Sequence, residues 1–365
     1  MDNLRERKMF NGLFVDDRAS EDYLITNFSS TDIEFNFLLA DQPLIEMARK
    51  ITDAKPDIIV LDYRLDEPQV NQPKNEYKAG PLAQQLRDWA LEHTKDDFPI
   101  VLVSNENKRE LYEKDLTAHD LFDQRYTKEE ISRNHSGAYK RQLLSMVLGY
   151  KRIKQEWTAS ASDRLAILLD AEGSEDDLSQ LAHQDISKVY ERHAAPHHFA
   201  RDTFRYVIDR AGLLLDKEDV LAVLGVFGGS NVTKLLEVLK HRNVDYRGVF
   251  SEGWPRWWRS RLEAFGKEVC GETLGNVTAD KRAVQINKSL NLNLTAAISR
   301  WTKRSDALFA FACCSCLCPT ELQFSVAAYD PDAKSFLRPK RICWTCVGTG
   351  EYEQKQIAID ESEEY

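Results

Sequence analysis

The sequence predicts an α/β protein. A five-stranded parallel (βα)₅ domain is expected over residues 1–157, a mainly α-helical domain over 158–310, and a small cysteine-rich β hairpin with an acidic tail over 311–365. Three observations carry this expectation. Short apolar runs alternate with helical periodicity through the first 157 residues, as in a parallel sheet covered by helices on both faces. Capped amphipathic segments then follow one another without a strand signal between them. Six of the seven cysteines fall between positions 313 and 346.

The elements are read in order. "GLFVDD" (12–17) is a buried strand ending in two acids, and "SEDYLITNF" (20–28) a helix capped by Ser20. "IEFNFLL" (33–39) is strand-like, and "QPLIEMARKITDA" (42–54) places Leu44, Ile45, Ala48 and Ile51 at helical spacing. Ile58-Ile59-Val60-Leu61 has no polar alternation, the pattern of a central parallel strand, and Asp62 follows it directly. Then come a helix over 81–93, a strand over 98–104 ending in Ser104, a helix over 107–116, a polar edge strand over 120–128 and a long helix over 137–157.

A net charge of −10 is unevenly spread: the first 150 residues carry −8, and residues 191–310 carry +5. The acidic first part argues against nucleic-acid binding there. The mildly basic middle permits an acidic partner without demanding one. No apolar run reaches the roughly 18 residues of a membrane span. The charged start lacks the apolar stretch of a signal peptide, so a cytoplasmic location with reduced thiols is expected.

In a sheet of this kind ligands bind outside the carboxyl ends of the strands. Asp16, Asp17, Asp62, Ser104 and Lys128 fall there. Three carboxylates at one edge repel unless a hard cation neutralises them, and Mg²⁺ suits a site that also holds phosphate oxygens. A carboxylate can accept a phosphoryl group, and an amine and a hydroxyl can hold its oxygens.

With "VDD", "IIVLDYRL", "LVSN" and "YTK" at successive strand ends, residues 10–150 resemble the receiver domain of bacterial two-component response regulators. The resemblance implies that Asp62 accepts phosphate from a histidine kinase. It implies that Asp16, Asp17, Asp62 and the carbonyl of Arg64 hold Mg²⁺, that Ser104 is the switch hydroxyl and that Lys128 binds phosphate. Tyr126 stands near the family's switch aromatic. Two features depart from the family pattern: a polar insertion over 66–80, and Glu129 in place of the proline that follows the lysine. A receiver-like fold that keeps these acids without being phosphorylated is the alternative reading.

The second part reads as successive helices. Ser174, Asp216, Ser230 and Thr278 are expected as caps, Pro255 in the first turn of a helix, and 295–312 as a helix running into the cysteines. "GVFGGSN" (225–231) lacks the Lys-Ser/Thr of a phosphate-binding loop and reads as a helix end. The histidines of "HAAPHH" (193–198) read as surface or core residues. In "GWPRWWRSR" (253–261) the tryptophans are expected to bury and the arginines to be solvated.

Cys313/Cys316 and Cys343/Cys346 form two C-x₂-C pairs, with 26 residues separating Cys316 from Cys343. Two such knuckles suit a structural, tetrahedral Zn²⁺ in a zinc-ribbon-like hairpin, with Cys314 and Cys318 in reserve. A buried cluster of free thiols is the alternative. The functional expectation is a phospho-signalling response regulator whose helical domain relays the signal to a protein partner. Its chemistry would be limited to its own phosphorylation and dephosphorylation. A DNA-binding transcriptional regulator is the second reading, an effector enzyme the third, and homodimer formation is left open.

Overall fold

The computed structural model describes residues 9–18, 22–66, 76–105, 120–133, 137–182, 184–210, 212–228, 231–330, 334 and 337–362. The chain forms two compact units interleaved in sequence. The first takes residues up to Arg164 with Tyr190–Phe204 and Val249–Trp254; the second takes Leu165–Val189, Arg205–Gly248 and Pro255–Tyr365.

In the first unit the strands β1 (Phe10–Asp16), β2 (Ile33–Leu39), β3 (Ile58–Asp62), β4 (Ile100–Ser104) and β5 (Gln124–Thr127) form one parallel sheet in the order β2-β1-β3-β4-β5. This is a doubly wound order with its topological switch between β1 and β3. Every residue of β3 and of β4 is buried, as unalternating apolar runs require. The helices α1 (Asp22–Phe28), α2 (Leu44–Asp53), α3 (Ala79–Glu92), α4 (Lys128–Arg133) and α5 (Ala138–Gln155) connect or flank the strands. Val15, Ile59, Leu61 and Leu102 pack with Met47, Ile51, Leu82 and Leu86 of α2 and α3 in one core. The five-stranded receiver-like α/β sheet is therefore present as predicted. The expected helix over 107–116, the Ser20 and Ser230 caps and most of the 66–80 insertion lie outside the described residues.

Next come α6 (Ala161–Leu168), α7 (Glu175–Leu181), α8 (Gln184–Glu191) and α9 (Pro196–Thr203). Two later segments complete the first unit. The Asp97 carboxylate accepts the His197 backbone N–H (2.8 Å) and lies 2.9 Å from His197 Nδ1, so a residue 100 positions upstream holds the start of α9. Phe250 stacks on Phe204, with ring centroids 4.4 Å apart. Gly253 lies so close to α5 that a Cβ there would stand 2.9 Å from Gln142 Cα and 2.9 Å from Ser145 Cβ.

The second unit is mainly helical: α10 (Lys217–Val223), α11 (Val232–His241), α12 (Arg259–Cys270) and α13 (Ala279–Leu290) enclose Leu235, Leu239, Leu262 and Ile286. A short ladder joins β6 (Leu214–Leu215) to β7 (Trp257–Trp258). The antiparallel pairs β8 (Phe309–Ala312) with β9 (Pro319–Glu321), and β10 (Ser325–Ala327) with β11 (Arg341–Cys343), carry the cysteines, followed by α14 (Trp344–Thr349) and α15 (Glu351–Gln354). Among the described residues no helix is long and apolar enough to cross a membrane.

Several local expectations are corrected. Pro255 is not in a helical first turn, because Trp257 and Trp258 are drawn into a ladder with β6 and α12 starts only at Arg259. Residues 295–308 are not helical: the Ser299 hydroxyl accepts the N–H groups of Trp301 and Thr302, which favours a turn. Ser174 and Asp216 do cap, accepting the N–H of Asp177 and Asp219. Thr278 precedes α13 without a side-chain cap bond. The tryptophans of 253–261 are buried, but the arginines are not simply solvated: Arg259 is buried and Arg261 bonds Asp177 Oδ2 at 2.6 Å.

Candidate functional site

At the carboxyl edge of the sheet the register sets the predicted residues side by side. Val15 pairs with Leu61, so Asp16 and Asp62 end adjacent strands; Asp62 pairs with Val103, and Ser104 with Thr127, next to Lys128. All of Asp16, Asp17, Asp62, Ser104 and Lys128 are buried. Lys128 Nζ lies 2.9 Å from Asp62 Oδ1 and 3.8 Å from Asp16 Oδ2. Asp62 Oδ2 accepts the Arg64 backbone N–H at 2.8 Å, and Asp16 Oδ1 accepts that of Arg18 at 3.0 Å. The Arg64 side chain turns outward to Asp66, 3.0 Å from Nε. Burial, with Asp66 nearby, pushes the Asp17 carboxyl up from its ordinary range despite Asp16 and Arg18, which favour its charge.

Lys128 owes its position to a local device. Thr127 Oγ1 accepts the Glu130 N–H (3.0 Å), while Glu130 Oε2 accepts the Thr127 N–H (2.8 Å). This capping box starts α4 at Lys128, and Glu129 lies inside its first turn. The described chain contains no cis peptide bond. The turn at the departing Glu129 is thus built from a trans bond and a helix cap, which the T-x-x-E spacing in "YTKEE" encodes. Tyr126, one residue earlier, donates its hydroxyl to Gln142 Oε1 on α5 at 2.8 Å.

Chemically, three carboxylates gathered at one buried edge form a donor set that fits a hard divalent cation. Asp62 combines a backbone N–H on one oxygen with an ammonium on the other, at the end of the central strand. Among the described residues only the cysteine quartet brings three or more metal-ligating atoms within 4.8 Å of one another. At the acidic edge the Lys128 ammonium bridges Asp62 and Asp16 instead.

The cysteine quartet is the second candidate. Cys313 and Cys346 Sγ are 4.0 Å apart, Cys316 and Cys343 Sγ 3.8 Å. Four thiolates around zinc at about 2.3 Å stand about 3.8 Å from one another; these two distances are near that spacing and all four sulfurs lie within 4.8 Å of one another, so the quartet could hold zinc. The Cys343 backbone N–H points at Cys313 Sγ (3.2 Å) and Arg300 Nη1 lies 4.0 Å from Cys346 Sγ, both suited to thiolate charge. Cys314 and Cys318 stand outside the quartet, and burial pushes each thiol up to about 11. Of the histidines of 193–198, His197 is buried against Asp97 and His193 Nε2 lies 2.8 Å from Asp202.

No family model matches the chain, and no curated protein matches it. Solved structures do. The response regulator domain of Thermotoga maritima CheB aligns at 17% identity and a TM-score of 0.27, covering 40% of this chain and 97% of that one. The Legionella pneumophila response regulator LqsR aligns at 13% identity and a TM-score of 0.28, over 50% of this chain and 55% of its own. The Salmonella typhimurium RcsB response regulator aligns at 9% identity and a TM-score of 0.26, over 52% and 97%.

Proposed function

We propose that the first unit is the receiver of a response regulator and that Asp62 accepts a phosphoryl group from a histidine kinase. One observation carries the reading: Asp62 ends the central strand at the topological switch, with the Lys128 ammonium 2.9 Å from its carboxylate. The Asp62 oxygen would attack phosphorus, forming a P–O bond as the bond to the donor's leaving group breaks. Lys128 and the Ser104 hydroxyl would then hold the transferred oxygens. Asp16, Asp17, Asp62 and the Arg64 carbonyl would hold Mg²⁺, which when bound supplies charge neutralisation at the phosphoryl oxygens. The cysteine quartet is read as a structural zinc site, since four thiolates leave no open position. The helical second unit is read as the relay to a protein partner, in a cytoplasmic protein.

The test is covalent labelling. With Mg²⁺ and a small phosphodonor, intact mass should rise by one acid-labile phosphate, and Asp62→Asn should lose it. Full labelling of Asp62→Asn would show the acceptor to lie elsewhere. Chelation of Mg²⁺ should stop labelling of the native chain.

A further inference from the structure

The second unit contains a pocket of about 320 Å³ between the start of α10, the start of α12, strand β8 and the stretch 338–341. Its lining combines the apolar side chains of Phe311, Leu317 and Leu322 with the cations of Arg259, Arg338 and Lys340 and the carboxyl groups of Asp216 and Asp219. Arg259 is buried, and its Nε donates to the Gly212 carbonyl at 3.2 Å, so its guanidinium is held rather than sweeping through solvent. The cationic stretch is fastened too: the Lys340 carbonyl accepts the Ala328 N–H (2.7 Å) and the Arg341 carbonyl accepts the Cys314 N–H (2.9 Å). Asp219 also lines the pocket, its Oδ1 fixed by the Ala312 N–H at 2.8 Å.

Arg338 and Lys340 add two cations beside the buried Arg259, whose own counter-charges are Glu263, 3.7 Å from its Nη1, and Asp219. Burial, and then Arg338, holds the Arg259 guanidinium below its usual range. A bare phosphate would satisfy the cations and leave the apolar side chains idle. A purely apolar ligand would leave the cations idle. A ligand with a planar apolar body, a hydrogen-bond donor and one compact anionic group satisfies all three features. The volume sits near the lower end of the range for ligand pockets, about 300 Å³, which suits one nucleotide and not a dinucleotide. The Asp219 carboxylate disfavours a longer phosphate chain and can accept from a ribose hydroxyl or a ring amine.

We infer that this pocket binds a nucleoside monophosphate, its phosphate on Arg259, Arg338 and Lys340, its base against Phe311 and a donor on Asp219. The site is independent of Asp62 and of the phosphotransfer reading. Bidentate arginine–phosphate contacts supply the charge recognition, and the phenyl face supplies a base-stacking surface.

Calorimetric titration of the full chain with AMP, GMP, CMP and UMP tests this, with adenosine and inorganic phosphate as controls. At least one nucleotide should bind in the micromolar range, with each control at least about 10-fold weaker. The Arg338→Ala/Lys340→Ala double variant, at exposed positions that do not threaten folding, should weaken binding by at least about 10-fold. Phe311→Ala should weaken it as well, and Asp62→Asn should leave it unchanged. Absence of binding tighter than about 1 mM would overturn the proposal, as would full affinity in the double variant. Tighter binding of a single-stranded oligonucleotide through the same residues would replace the nucleotide with a nucleic acid and equally overturn it.

Discussion

Replacing Asp123 by alanine should nearly abolish the protection of the first unit's sheet. The Asp123 carboxylate is buried and receives three donors: Arg87 Nη2 (2.7 Å), the Tyr150 hydroxyl (2.6 Å) and the Ile100 N–H that opens β4 (2.7 Å). Burial alone would lower the Arg87 pKa, but Tyr150 and the carboxylates of Asp123 and Asp97 more than reverse it. Asp123→Ala leaves Arg87 with Asp97, at 3.3 Å, as its carboxylate partner beside the carbonyls of Leu121 and Phe98, and orphans a buried hydroxyl and a buried N–H. Breaking one partner out of a buried pair costs about 3–5 kcal/mol; with Asp97 still present we take about 4 kcal/mol. Because the chain has two compact units, one melting curve is not one equilibrium, so the assay should be local. Hydrogen exchange of β4 should speed up by about 10³-fold, at one decade per 1.4 kcal/mol. The Arg87→Leu/Asp123→Ala double variant should lose at least about 1 kcal/mol less than the sum of the singles. An acceleration below about tenfold, or strict additivity, would refute the account of a desolvated ion pair.

Three further outcomes follow from the geometry. Protein purified without chelator should contain about one zinc per chain on metal analysis, and Cys343→Ser should lose it and destabilise β10–β11, since structural zinc contributes directly to folding. Acidification should loosen α9: burial, reinforced by His197, holds the His198 pKa down at about 4. The unfolded imidazole titrates near 6.5, so its contribution is complete above that pH and lost as pH falls toward 4, read as faster exchange of Pro196–Thr203. Gly253→Ala should displace the 249–254 segment from α5, because a Cβ would stand 2.9 Å from Gln142 Cα; overpacking of this kind costs about 1–3 kcal/mol, measurable by exchange of α5.

What was readable in the sequence was what short-range pattern encodes. Ile58–Leu61 announced a buried central strand because no polar residue interrupts it, and Asp62 inherited its place from that strand's end. The cysteine spacing announced the quartet because C-x₂-C is itself a local geometry. The expected strand over 120–128 shrank to Gln124–Thr127. The Asp123 carboxylate takes Arg87 and the Ile100 N–H while its own N–H bonds the Ile100 carbonyl, and Thr127 and Glu130 turn Lys128 into the first helical residue. Trp257 and Trp258 read as helix because their partners, Leu214 and Leu215, lie some forty positions earlier. The Asp97–His197 contact spans 100 positions and has no sequence signal at all.

These same non-local contacts give the proposed switch somewhere to act. Lys128 is both the cation on Asp62 and the first residue of α4, so drawing it toward a phosphoryl group would pull on a helix start fixed by its capping box. Tyr126, one residue before that box, holds Gln142 of α5. Gln142 and Ser145 are where Gly253 comes closest to α5, and one turn on Phe250 lies so near Gly149 that a Cβ there would stand 2.2 Å away. A receiver-side change at Tyr126 would therefore reach the 249–254 segment along one face of α5. Linkage requires the two states to differ in their interaction with the phosphoryl group, and Ser104 and Lys128 can supply that difference. Exchange measured with and without beryllofluoride should then change at Leu143, Val147, Tyr150 and the 249–254 segment. Changes confined to the loops around Asp62 would leave α5 a passive scaffold and disconnect the acidic edge from the rest of the chain.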